Sequence, residues 1–149
     1  MKITKRGEYA LRTMLALASK ARSHPLSLRQ LSQEEKLPVK FLEQIMMTLK
    51  KAGLVQSTKG KHGGYVLSRP PSKIKLGEII RVIDGPLSPL ETGEEIRKKI
   101  LKEERHPGLY AVFFDVRNAT CAIIDKTSLA DVCEKSSDLV RTKGVMYYI

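Results

Sequence analysis

Apolar residues recur at helical spacing through most of the first fifty positions. Leu11, Met14, Leu15 and Ala18 mark a first helix over about residues 5–20, with Thr4 placed to cap it. The run "RSHPLS" breaks the pattern. Ser27 and Gln30 have the spacing of a capping box, and Leu28 and Leu31 predict a short second helix to about Glu35. "KLP" reads as a turn. Leu42, Ile45, Met46 and Leu49 form the stripe of a third helix, and Gly53 stands where a left-handed glycine ends one. A tight turn between the second and third helices makes a helix-turn-helix pattern.

The period then changes from 3.6 to 2. "LVQST" and "YVLS" alternate as strands on either side of Lys59–Gly64, a stretch with three glycines. The stretch is not a phosphate-binding P-loop, because the Lys-Ser/Thr ending is absent and no helix follows. "RPP" at 69–71 stops the second strand. A helix-turn-helix followed by such a hairpin is a winged helix. A fourth helix over about Leu76–Ile83 ends at "DGP".

Residues 86–108 read as a connector. Within it "TGEEIRKKILKEE" predicts a short charged helix, with Glu94–Lys98 and Glu95–Lys99 at i,i+4 spacing, and "HPG" breaks it. Leu109, Val112, Phe113, Val116, Ile123 and Ile124 continue a helical stripe to about Lys126, with Phe114 also apolar. That is more hydrophobic surface than a small winged domain can cover. It implies a partner helix, most simply the same helix of a second copy in a two-fold dimer. The tail "RTKGVMYYI" is expected to be weakly ordered. The fold expected is mainly α with a small β-hairpin. A winged helix-turn-helix domain occupies 1–84, a connector 85–108, a dimerisation helix with a short terminal helix 109–135, and a tail 136–149.

Charge sharpens this outline. The 149-residue chain carries a net +11. Residues 1–84 hold 17 Lys+Arg against 6 Asp+Glu, and residues 85–149 hold 10 of each, so all of the excess lies in the predicted winged half. A basic half joined to a neutral half suggests one face built for a polyanion. No apolar run of about 18 residues predicts a membrane span. The N-terminus lacks an apolar secretory region, so a cytoplasmic protein is expected. Two cysteines twelve residues apart, Cys121 and Cys133, make neither a disulfide framework nor a zinc pattern. His24, His62 and His106 are scattered, and no catalytic or metal-ligand spacing is present, so no enzyme and no metal site is expected.

In a helix-turn-helix the second helix offers its N-terminal residues to base edges in the major groove. Opposite the stripe 42/45/46/49 lie Lys40, Glu43, Gln44, Met47 and Lys51. Gln44 can pair bidentately with adenine, Lys40 can reach guanine or phosphate, and Glu43 can accept from a cytosine amino group. Glu43 could instead pair along the helix with Lys40 or Lys50. Arg29 on the second helix and Phe41 at the start of the third complete the candidates there. In the hairpin, Lys59, Lys61 and His62, with Gly63 and Gly64, suit phosphates or a minor groove.

The segments "KRGEYALRTMLALA", "KFLEQIMMTLKKAGLVQSTKGKHGGYVLSRPP", "LGEIIRVIDGPLSP" and, later, "TSLADV" together resemble the Rrf-two family of bacterial winged-helix transcription regulators, the IscR, NsrR and CymR group. The likeness covers about residues 2–133. It implies that Phe41, Leu42, Glu43 and Gln44 begin the recognition helix and that Lys59–Gly64 is the wing. It further implies a homodimer on a pseudo-palindromic double-stranded DNA operator. Many members hold an iron–sulfur cluster on three cysteines between the "DGPLSP" segment and the dimer helix. Here residues 85–108 contain no cysteine. His106 and Glu91 stand near two of those places and cannot make an ordinary cluster site. The chain is therefore expected to resemble the cluster-free, CymR-like branch, with no cofactor and with a small-molecule or protein effector acting at 86–108. The reading is a sequence-specific repressor. The alternatives are a redox or iron–sulfur sensor with unusual ligands, and a nucleic-acid binder without sequence choice.

Overall fold

A computed structural model describes residues 3–19, 24–86, 92–102 and 105–147, with side chains to residue 144. Glu91, parts of the connector and the last two residues of the tail lie outside them. The described residues form α1 (Lys5–Ser19), α2 (Leu28–Glu35), α3 (Val39–Lys51), β1 (Val55–Thr58), β2 (Gly64–Leu67), a 3-10 turn (Pro71–Lys73), α4 (Leu76–Asp84), α5 (Gly93–Leu101), α6 (Pro107–Ile124) and α7 (Leu129–Tyr147).

The local signals act as their chemistry predicts. Thr4 Oγ1 accepts the Gly7 N–H at 3.0 Å and caps α1. Ser27 and Gln30 make a reciprocal capping box at α2. Lys36, at φ 55°, turns the chain out of α2, and the amide of Leu37 donates back to Ser32 O at 3.0 Å. At the end of α3, Gly53 has φ 73°. Its amide reaches Lys50 O, and the amide of Leu54 reaches Leu49 O, each at 3.0 Å, the paired bonds of a Schellman motif.

Leu42, Ile45, Met46 and Leu49 are fully buried in one core with Ala10, Met14 and Leu17 of α1, Leu31 of α2, and Ile74 and Ile79 around α4. Leu129 is also fully inside it. The chain returns from α6 to run antiparallel to residues 74–76. Leu76 N–H donates to Thr127 O and Leu129 N–H to Ile74 O, both at 3.0 Å. The core of the winged unit therefore does not stop at residue 84, where the sequence pattern placed its boundary.

The tail expectation needs correcting. One helix, α7, runs on to Tyr147. Ser128 and Asp131 cap it reciprocally, and Ser136, Ser137 and Thr142 return hydroxyl bonds to carbonyls four residues back. Residues 134–144 of this helix are all exposed, so no buried stripe announced its length. No described helix is long and apolar enough to cross a membrane.

Candidate nucleic-acid interface

Burial of the 42/45/46/49 stripe leaves the opposite side of α3 in solvent. Lys40, Glu43, Gln44, Met47 and Lys51 are all exposed. Met47, 64% exposed, is a large apolar group with no cover in the protomer, available to a thymine methyl or a sugar. Among the described residues Glu43 has no ion pair, so the alternative of an intrahelical partner is not formed. The Lys50 amine goes instead to Ser57 Oγ on β1 at 2.5 Å.

Phe41 differs from the other candidates on α3. Its ring is half-buried and meets Tyr9 of α1 edge-on, with centroids 5.7 Å apart. At 41 the helix has turned about 100° from Lys40, and that rotation carries Phe41 to the core side. Phe41 packs α3 against α1 and is turned away from the exposed face. Arg29 is exposed on α2. The nearby Arg12 is committed to Glu35, through its Nε to the carboxylate at 3.0 Å and its Nη2 to the backbone carbonyl at 2.7 Å, which braces α1 on α2.

The hairpin pairs Val55 with Leu67 through Thr58 with Gly64. Its tip is therefore Lys59–Gly63, and Gly64 belongs to β2. The tip closes through Gly63 N–H to Gly60 O at 3.0 Å, with Gly60 at φ 112°. The side chains of Lys59, Lys61 and His62 project from it, exposed and without a partner among the described residues. Gly63 and Gly64 contribute shape rather than contacts. A Cβ on Gly63 would come 2.4 Å from Thr58 O, and one on Gly64 would come 2.5 Å from the Leu26 carbonyl. Gly64 must be bare because Tyr65 exchanges both backbone hydrogen bonds with Leu26, at 2.8 and 3.1 Å. The wing is thereby bolted to the segment that enters α2.

Two polar residues beside this face went unnoticed in the sequence. Thr48 lies four residues after Gln44, so helical spacing alone would have placed it at the border of the face. Its hydroxyl donates to Gln44 O at 3.0 Å and accepts from Arg6 Nη2 at 2.9 Å. Ser57 is the partner of Lys50. No local signal links it to α3, because the contact depends on how the hairpin folds back.

The stripe on α6 is sorted more finely than its spacing suggested. Leu109, Val112, Val116 and Ile123 are 50–67% exposed, whereas Ile124 is 8% exposed. Ile124 is corrected from a dimerisation residue to a packing residue of the protomer: it falls about 100° around the helix from Ile123, on a buried side. Phe113 is half-buried, its ring against Tyr110 at 6.4 Å. α5 covers another side of α6 through the buried Ile96, with Arg97 over the Phe114 ring and Lys99 over Tyr110, both at 5.1 Å.

Comparison with known proteins agrees with this geometry. Residues 3–135 match the Rrf2 family model, described as "Iron-dependent Transcriptional regulator". The chain is 36% identical over its 149 residues to the HTH-type transcriptional regulator CymR of Bacillus subtilis, covering the whole of both. The structure of that organism's CymR, the global cysteine regulator, superposes with a TM-score of 0.79 at 37% identity over 91% of this chain and 98% of the other. The IscR of T. potens superposes at 0.65 with 31% identity, over 91% and 88%.

The residues present do not fit the iron–sulfur group that the wider family can carry. Such a cluster needs thiolates, and residues 85–108 hold none. Cys121 lies on α6 with Arg81 Nη2 4.0 Å from its sulfur, so a positive charge already stands beside that thiol. Cys133 is half-buried on α7, and burial pushes its thiol up, toward the protonated form. No group of three or more His, Cys, Asp or Glu side chains among the described residues could hold a metal ion. With its full-length match and its winged helix-turn-helix, the chain belongs to the Rrf2 family and is a DNA-binding transcription regulator.

Proposed function

We propose that the chain is a homodimeric repressor that reads a pseudo-palindromic operator and works without an iron–sulfur cluster, in the cytoplasm. Lys40, Glu43, Gln44, Met47 and Lys51 address base edges in the major groove, while Lys59, Lys61 and His62 hold phosphates or enter the minor groove. The observation that carries the dimer is the exposed row Leu109, Val112, Val116, Ala119 and Ile123 on α6. Its steps of 3, 4, 3 and 4 residues are those of a two-helix seam. Two copies joined there present two reading helices, and a two-fold protein matches a two-fold site.

The effector is proposed to act at the connector, where α5 lies against α6. A ligand or partner protein that binds one arrangement of α5 better than another shifts the angle of the winged units, and only that difference in affinity gives control. The Bacillus subtilis relative is titled a global cysteine regulator. The likeness over the whole chain supports a cysteine-linked set of regulated genes here. The test is to sequence DNA recovered with the protein, then measure binding to the recovered motif and to a scrambled duplex. A two-fold motif bound at least about a thousandfold more tightly than the scrambled control is expected of a specific regulator. Equal affinity would leave only an architectural binder.

A further inference from the structure

Among the winged-half cations whose side chains bond to another side chain, two differ from the rest. Arg12 is held by Glu35, Arg69 by Glu78 and Arg81 by Asp125, each a carboxylate that cancels its charge. Arg6 and Lys50 have no carboxylate partner among the described residues. Each is held by a hydroxyl: Arg6 Nη2 by Thr48 Oγ1 at 2.9 Å, and Lys50 Nζ by Ser57 Oγ at 2.5 Å. A hydroxyl orients a cation without neutralising it.

Their positions are complementary. On α3, Thr48 lies about 40° around from Gln44 on one side, and Lys50 about 80° from Lys40 on the other, at 100° per residue. Arg6, reaching across from α1, therefore borders one side of the reading face and Lys50 borders the other. The Thr48 hydroxyl is itself fixed, because its proton goes to Gln44 O and its lone pair receives Arg6. When a helix lies in the major groove, the phosphates of the two strands rise on either side of it. A guanidinium fork on one side and an ammonium on the other, both oriented and both uncancelled, match those two rows.

We propose that Arg6 and Lys50 are paired phosphate contacts astride the recognition helix, held in place by Thr48 and Ser57. This rests on the placement of the reading face at Lys40, Glu43, Gln44, Met47 and Lys51. The two residues set the depth and register of α3 in the groove and carry no base preference of their own.

The experiment measures affinity of the full chain against salt, on the recovered operator and on a scrambled duplex. Arg6→Gln and Lys50→Gln should each weaken binding to both duplexes. Each should also reduce the slope of log K against log[salt] by about 2 per dimer, one for each copy. Arg6→Lys should keep the slope. Thr48→Val and Ser57→Ala retain the charges but release them, and should cost roughly 2- to 10-fold in affinity with the slope nearly unchanged. A lost fold cannot mimic this pattern, because Lys50 is exposed and the hydroxyl variants keep every charge. Wild-type slopes in both charge variants would overturn the inference, and a change in only one would overturn the pairing. Gln44→Ala separates the underlying placement. If it still alters base preference while the slopes stay fixed, the reading face stands and the paired contacts fail. If neither base preference nor slope moves, the reading face itself is misplaced.

Discussion

Arg81 grips Asp125 with both ends of its guanidinium, Nη1 to Oδ1 at 2.7 Å and Nη2 to Oδ2 at 2.8 Å. The pair joins α4 of the winged unit to the residue that ends α6. Gly77 is bare beneath it, since a Cβ there would come 2.0 Å from Asp125 Oδ1. Together with the backbone bonds of Leu76 and Leu129, this clasp fixes the reading helix relative to the helix proposed to join the dimer.

Asp125→Asn should therefore lower stability near pH 7, by about 0.5–1 kcal/mol for a pair that is two-fifths exposed. The Arg81 hydrogen bond holds the Asp125 carboxyl below the usual carboxylate range. A depressed folded pKa means that the stabilisation is present above the unfolded value of about 3.9 and is lost as pH falls through the folded one. In urea titrations from about pH 7 to about pH 3, the gap between wild type and variant should hold and then narrow below about pH 4. A gap that stays constant over the series would assign the effect to something other than the ion pair.

Binding should be steeply salt-dependent. With roughly 6–10 phosphate contacts per dimer, log K should fall against log[salt] with a slope of about −5 to −9. The contacts come from the winged half, which holds the entire +11 excess. A slope near zero would remove the electrostatic account of this face.

The reading face and the wing should separate by readout. Gln44→Ala should relax preference at one base position per half-site by about 1–3 kcal/mol. Lys59→Ala and Lys61→Ala should weaken binding to all sequences alike. Gly64→Ala should act differently again, by forcing a methyl into the Leu26 carbonyl and lowering thermal stability before any DNA is added. Binding-site selection on the three classes of variant, beside melting curves, distinguishes them.

Local chemistry explains how much of this was legible in the sequence. The caps at Thr4 and Ser27, the stop at Gly53 and the buried stripe of α3 depend on residues within a few positions of each other, so spacing revealed them. The contacts that shape the site do not. Arg6 finds Thr48 across 42 residues and Arg81 finds Asp125 across 44. Phe41 was grouped with the reading residues because the family resemblance starts the recognition helix there, yet its neighbour in space is Tyr9. The helix after Ser128 was expected to end near residue 135, because residues 134–144 are exposed and give no buried stripe to read. On α6, where nearly every other residue is apolar, periodicity could not tell the face turned to α4 and α5 from the face left open.

That distinction yields the last prediction. Val116 is 59% exposed in the middle of the open row on α6, and Ile124 is 8% exposed at its inner end. Val116→Asp places a charge where the second copy is proposed to pack. The protomer has solvent there already, so its fold should survive, with a melting temperature close to wild type. Sedimentation should show monomers, and specific binding should be lost because one reading helix cannot span two half-sites. Ile124→Asp buries an unpaired carboxylate inside the protomer, which should lower the stability of the protomer itself by several kcal/mol. The two substitutions change chain charge equally, so bulk electrostatics cannot explain a difference between them. If Val116→Asp remained a dimer that binds the operator normally, the seam along Leu109, Val112, Val116 and Ile123 would not be the interface. The exposed Leu139 and Val140 on α7 would then be the next apolar surface to test.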